Sequence, residues 1–348
     1  MRKKKTAAVA AILISSVYTA GCGLWPDEKK EKIDPPQSVV YTDSLAGSEE
    51  QKAAQNKNVV MTELYLIDKN GYVVSKTMPL SNTKSLAKQA LEHLVAEGPI
   101  SNLMPNGFRA VLPAGTQVKS VNIEDGTATV DFSPEFKEYE KADEARIVQS
   151  ITWTLTQFDS VKRVKMQVNG HPLTEMPIGK MALDEEGMTR QAGINMDASG
   201  TVDLADTRPV TVYYMAQQGE SYYYVPVTKR VSNKEEDQIT AVVKELAKGP
   251  RAGSGLVTEF LPEAELLEKP VIKDGRVTLN FNEAVLGSFE SKMVSEHVLK
   301  SLALSLTESG QIESLAIQVG GSSNITTEQG EPLSSSVTRP EVVNPIDL

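Results

Sequence analysis

Between residues 59 and 320 the apolar positions trace two copies of one pattern. Each copy opens with a strand-like run and a turn: Leu64-Tyr65-Leu66 before Asn70-Gly71, and Val212-Tyr213-Tyr214-Met215 before Gly219. A helical stripe follows, Ala87, Ala90, Leu91 and Leu94 in the first copy and Ile239, Val242, Val243, Leu246 and Ala247 in the second. Apolar residues three and four apart line one face of a helix. Gly98-Pro99 and Gly249-Pro250 come next. Glycine is predicted to cap each helix and proline to forbid its continuation.

A second hairpin is then predicted in each copy. Asp125-Gly126 and Asp274-Gly275 supply the positive φ angles of a two-residue turn. Ala128, Val130 and Phe132 alternate with polar residues after the first turn, as Val277, Leu279 and Phe281 do after the second. Such alternation gives a strand with one buried face. Val148, Ile151, Thr152 and Leu155 form another helical stripe, matched by Leu299, Leu302, Ala303 and Leu306. A last strand carries Val164, Met166 and Val168, or Leu315, Ile317 and Val319.

The order hairpin, helix, hairpin, helix, strand gives helices with single apolar stripes, which need a sheet to cover. The fold class is therefore α+β. Two tandem repeats are expected, each a small antiparallel or mixed sheet covered by two helices. The repeats span 59–175 and 207–320. A connecting segment, 176–206, carries a hairpin-like stretch from Ile194 to Leu204, expected to pack on the edge of the first repeat or to bridge the two. Residues 321–348, rich in Ser, Thr and Pro, are read as a disordered tail.

The N-terminus changes the picture from a plain globular chain. Arg2 to Lys5 form a positive region, and an apolar stretch runs from Ala7 to Ile14 and resumes at Val17 and Tyr18. It is shorter than the roughly 20 residues a spanning helix needs. Thr19, Ala20 and Gly21 then precede Cys22, the single cysteine. Residues 1–21 thus read as a signal peptide with a lipobox. The resemblance to a bacterial lipobox makes Cys22 the expected lipidation site, which would attach the chain to the membrane by diacylglyceryl and acyl groups. Residues 22–58, charged and then rich in Gly, Ser, Glu and Gln, read as a disordered tether.

The whole sequence has a net charge of −10; without the four positive side chains of residues 1–21 it stands near −14. That balance excludes nucleic acid as a partner and leaves membrane attachment to lipid.

Candidate chemistry is sparse. His93, His171 and His297 have no zinc-hydrolase spacing, and no serine sits in a nucleophile elbow. Asp184-Glu185-Glu186 and the spaced Asp197, Asp203 and Asp206 lack the ligand spacing of a calcium loop. No catalytic residue, metal or cofactor is assigned. Tyr213, Tyr214, Tyr222, Tyr223 and Tyr224 gather in the opening hairpin of the second repeat. Half of an alternating set should face outward, which makes these five the candidate interface for protein or sugar.

A lipobox, a polar tether and two units carrying Gly-Pro after the first helix and Asp-Gly-x-x-x-[Val/Leu]-[Asp/Asn]-Phe in the second hairpin resemble the tandem GerMN-domain lipoproteins of sporulation and spore germination. The resemblance covers about residues 59–320 plus the anchor. It implies modules similar to ring-building-motif domains and a non-enzymatic role in building the endospore. The implied site is the septal or engulfing membrane, in support of a SpoIIQ–SpoIIIAH type channel. A peptidoglycan-binding or peptidoglycan-remodelling lipoprotein is the alternative. A transporter's solute-binding lipoprotein fits poorly, because these units are too small.

Overall fold

The computed structural model describes residues 59–199, 206–234, 237–287, 292–333 and 336–346. The lipobox residues Thr19, Ala20 and Gly21, with Cys22 and the expected tether, lie outside them.

The opening hairpin of the first repeat is β1 (Val59–Asp68) paired antiparallel with β2 (Val73–Ser81). Its turn contains Gly71 at positive φ. Helix α1 (Leu86–Glu92) follows, then a short β3 (Phe108–Arg109) that adds to the free edge of β1. The middle hairpin is β4 (Val118–Glu124) and β5 (Thr127–Phe132), with Asp125 and Gly126 both at positive φ in its turn. Helix α2 (Glu144–Leu155) leads to β6 (Arg163–Val168), which runs parallel to β5, and to a short β7 (His171–Pro172). The sheet layer thus comes in two pieces, ordered β2-β1-β3 and β4-β5-β6-β7.

The second repeat rebuilds this plan. It has β8 (Thr207–Gln218), β9 (Ser221–Ser232), α3 (Gln238–Lys248), β10 (Leu256–Val257), β11 (Val271–Lys273) and β12 (Arg276–Phe281). These are followed by β13 (Met293–Val294), α4 (Glu296–Thr307), β14 (Ser314–Val319), β15 (Thr326–Thr327) and β16 (Val337–Thr338). Its sheets are ordered β10-β8-β9 and β11-β12-β14-β16, with β13 and β15 as a parallel pair. The predicted stripes all face inward: Ile151 and Leu155 on α2, and Leu302 and Leu306 on α4, are buried. One continuous set of buried apolar side chains runs through both repeats.

Three expectations need correction. The first helix ends at Glu92, not at Gly98-Pro99. Beyond it the Leu94 carbonyl accepts from the Val111 and Leu112 N–H groups, while the Ala96 N–H donates to the Leu112 carbonyl. Backbone groups committed to another strand cannot continue a helix. In the second repeat the reading holds, since α3 runs to Lys248 and Gly249 caps it at φ 78°. The helix also starts on a built cap, Asp237 accepting from the Ile239 and Thr240 N–H groups.

The described residues of the segment read as a disordered tail are bound structure. β16 pairs antiparallel with β14, and Leu333, Val343 and Ile346 are buried. Serine-rich composition hid the wide spacing of these apolar anchors. The expected hairpin from Ile194 to Leu204 also fails in its described half. Ile194 to Asp197 run as a strap beside β9, with Asp197 bridged in parallel to Lys229. Its residues 200–204 lie outside the described residues.

Candidate functional site

The connecting segment and the C-terminal segment are one repeated element. Met188 pairs antiparallel with Val164 on β6, and Val337 occupies the matching place opposite Leu315 on β14. Thr189-Arg190 then corresponds to Thr338-Arg339, and Asn195 to Asn344. Each repeat therefore ends in a strap, and each strap docks on the other repeat.

Ile194 of the first strap exchanges hydrogen bonds with Thr228 on β9. Its N–H donates to the Thr228 hydroxyl and its carbonyl accepts from the Thr228 N–H, both at 2.9 Å. Val343 of the second strap does the same with Thr77 on β2, its N–H donating to Thr77 Oγ1 at 2.9 Å. The Thr77 hydroxyl donates back to the Val343 carbonyl at 2.6 Å.

Two asparagines then fill the seam between β2 and β9. Asn195 Oδ1 accepts from the Val73 N–H at 2.8 Å, and its Nδ2 donates to the carbonyls of Val73 and Pro226 at 2.7 and 2.8 Å. Asn344 Oδ1 accepts from the Tyr224 N–H at 2.7 Å, and its Nδ2 donates to the carbonyls of Ser75 and Tyr224 at 2.9 and 2.8 Å. Both residues sit at positive φ, 48° and 52°, a conformation asparagine tolerates better than most residues. Each side-chain amide stands in for a strand residue that neither repeat supplies.

Charge closes the same seam. Arg190, from the first strap, pairs with Glu308 at the end of α4, donates to Thr156 Oγ1 at 2.9 Å and lies over the Trp153 ring at 4.4 Å. Arg339, from the second strap, reaches Glu63 on β1 at 3.1 Å and Glu308 at 3.4 Å. Tyr65 donates to Glu63 at 2.9 Å and Tyr213 to Glu308 at 2.6 Å. Burial alone would raise the Glu63 carboxyl, but Arg339 and Arg190 outweigh it and hold it below its ordinary value. Burial, with nearby carboxylates, pushes the Tyr65 and Tyr213 hydroxyls up, so both remain donors.

The five tyrosines meet a different fate from the one expected. Tyr214 and Tyr223 lie in the main core, while Tyr213 and Tyr224 join Met215, Leu304 and Val343 in a second, smaller core. Four of the five are thus buried, because α4 and the second strap cover one face of the hairpin and α3 and the first repeat the other. The Tyr223 hydroxyl donates to Asp68 of the first repeat at 2.8 Å, and the Tyr224 hydroxyl lies 2.8 Å from His297 Nδ1. Tyr222 alone is exposed, at 43%. The interface these residues build is internal.

The histidines do not converge. His93 follows α1 with Nδ1 2.8 Å from the Gln89 carbonyl, His171 is exposed on β7, and His297 lies on α4. Asp184 and Asp197 accept from backbone N–H groups two residues on, as turn residues do. Among the described residues no three His, Cys, Asp or Glu side chains come together as metal ligands, and no helix is long and apolar enough to cross a membrane. The strap contacts hold the two repeats in one orientation. Sequence reasoning missed the second strap and the likeness of the two, though not the bridging role of the connecting segment. Their signal was the recurrence of Thr-Arg and, five residues later, Asn.

Comparison with known proteins agrees with the repeat. Residues 63–174 and 211–324 each match the family described as Germane: sporulation and spore germination. The chain is 50% identical to the spore germination protein GerM of Bacillus subtilis (strain 168), covering 99% of both chains. It also resembles the solved tandem GerMN domains of the sporulation protein GerM from Bacillus subtilis. That match has a TM-score of 0.77 and 54% identity, covering 82% of this chain and 99% of the other.

Proposed function

Because this chain belongs to the Germane family of sporulation and spore germination proteins, we propose that it is a lipid-anchored, non-enzymatic assembly protein of the sporulation envelope. The observation that carries this reading is the reciprocal exchange of straps, which locks two α+β modules into one body whose most elaborate polar chemistry faces inward. A rigid pair of modules suits a scaffold, which must present surfaces at fixed separation.

Cys22 would hold this body at the extracytoplasmic face of the membrane, through diacylglyceryl and acyl chains, at the septum and around the engulfed forespore. The partners expected from the family resemblance are channel proteins of the SpoIIQ–SpoIIIAH type. Crosslinking in cells partway through engulfment tests this reading. Recovery of such channel proteins supports it, and recovery of only unrelated proteins from every crosslinking position sinks it. The peptidoglycan alternative rested on exposed tyrosines, and burial of four of them removes most of that support. Co-sedimentation with purified cell wall, followed by muropeptide analysis, is expected to show neither retention nor cleavage.

A further inference from the structure

The two repeats act as controls for one another, and they differ at one edge. Ile123 on β4 pairs with Ala128, and Ile272 on β11 pairs with Val277, so the two isoleucines occupy the same place in the plan. Ile123 is 8% exposed, yet Ile272 is 57% exposed. The difference follows the helices. Helices α1 and α3 both pack against the first strand of their opening hairpin and against the second helix of their repeat, but α1 also packs against β4. Beside Ile272, Val271 is 62% exposed where the first repeat has the polar Asn122.

Leu267 extends the same patch. Its N–H donates to the Asn280 carbonyl on β12, two residues from Thr278, the partner of Val271. The edge also offers backbone. β11 is the outermost strand of its sheet, and Lys273 pairs with Arg276 across the two-residue turn. Alternation along an antiparallel pair then turns the Ile272 N–H and carbonyl away from β12. The rim is acidic: residues 257–274 hold five carboxylates against Lys269 and Lys273, a net charge of −3. Glu268 accepts from Asn280 at 2.9 Å, and the backbones of Glu263 and Glu265 bond Asn282. That places all three along β12, beside the apolar patch.

We propose that this edge of the second repeat receives an extended segment of another envelope protein, one carrying apolar and basic side chains. The segment would pair with the outward backbone of Ile272, cover Val271 and Leu267, and set its lysines or arginines against the acidic rim. Pro270 interrupts the edge, so the added strand is short. A second copy of this chain is the wrong occupant, since it brings net negative charge to an acidic rim. An anionic membrane is wrong for the same reason. The proposal rests on the assembly reading above and names the surface and chemistry of one contact within it.

The test places a photo-crosslinking amino acid at position 271 of the full-length lipoprotein, and in a second strain at position 122, its counterpart in the first repeat. During engulfment, position 271 should give an adduct to another protein, and position 122 should not. The adduct should map to a segment with more Lys and Arg than Asp and Glu. A synthetic peptide of that segment should bind the purified full chain, and Val271→Asp should weaken binding about tenfold or more, the loss of one interface hot spot. Val271→Asn, which copies the first repeat, should weaken it less, with thermal melting unchanged in both variants. Equal adducts at both positions, or an adduct to lipid, to this same chain or to an acidic segment, overturns the proposal. If position 271 fails while other surface positions reach channel proteins, the docking edge is wrong and the assembly reading stands. If no surface position yields a protein adduct, both fall.

Discussion

Asn195 and Asn344 each satisfy three backbone groups that the facing edges of β2 and β9 would otherwise leave buried and unpaired. Losing such partners costs more than losing an exposed contact, because the orphaned groups keep their desolvation penalty. Asn344→Ala is therefore expected to lower unfolding free energy by about 2–4 kcal/mol. Asn344→Gly, which accepts positive φ freely, should recover only the small part due to backbone strain. Equilibrium denaturation of the three proteins checks this, and an Asn344→Gly variant as stable as the parent would show that the amide does not matter. Glu63 gives a second test. Its carboxyl is held below its ordinary value, net of a burial effect that opposes the shift. A lowered folded-state pKa means that the stabilisation is complete well above 4.5 and fades as pH falls through the lowered value. Glu63→Gln should thus cost about 2–4 kcal/mol at neutral pH, as expected when one partner of a largely buried pair is removed. That gap should narrow in acid below the ordinary carboxylate range, and a gap independent of pH would sink the account.

At the scale of elements, the straps matter more than their lack of regular structure suggests. The second strap adds β16 to β14, sends Arg339 to Glu63 and Glu308, and seals the smaller core with Val343. Truncation after Leu333 should lower the melting temperature by about ten degrees or more, since several kilocalories are removed from a chain of this size. A truncated protein that melts within two or three degrees of the parent, to order of magnitude one lost kilocalorie, would show that the strap is an appendage. Much of the plan was legible beforehand. Asp125-Gly126 and Asp274-Gly275 can hardly form anything but tight turns, and the stripes on α2 and α4 bury the side chains that their spacing named. Two things were not legible, for different reasons. The end of α1 depends on Val111 and Leu112 claiming the Leu94 carbonyl, a contact far along the chain. The tyrosines of β8 and β9 do alternate, as the sequence says, but into two cores, and periodicity shows that a strand has two faces without showing what covers each. The straps share only Thr-Arg and Asn across ten positions, too thin a likeness to stand out before both were seen docking on the opposite repeat.

For the whole molecule, the exchange means that each repeat shares its last element with the other. Arg190 leaves the first repeat to meet Glu308, and Arg339 leaves the second to meet Glu63. The buried apolar set is continuous across both, and residues of the two repeats fall in one compact unit. If one repeat opened alone, it would withdraw its strap from the survivor, leave an asparagine's partners unpaired and strand a charge of the central cluster. Each of these losses is of the order of kilocalories, so partial opening should be sparsely populated. The folded part is therefore expected to unfold in a single transition despite having two repeats, with calorimetric and van't Hoff enthalpies in a ratio of about one. Two resolved transitions, or a ratio near two, would mean that the repeats are merely adjacent. The same coupling bears on the anchor. Cys22→Ala should either block processing or release an intact body with the parent's melting temperature, because the contacts that join the two repeats are made within residues 59–346. Fractionation and melting of that variant check both halves at once. A variant that is processed normally yet stays on the membrane removes the lipid-anchor proposal, and one that is released but melts lower shows that the N-terminal segment contributes to the fold.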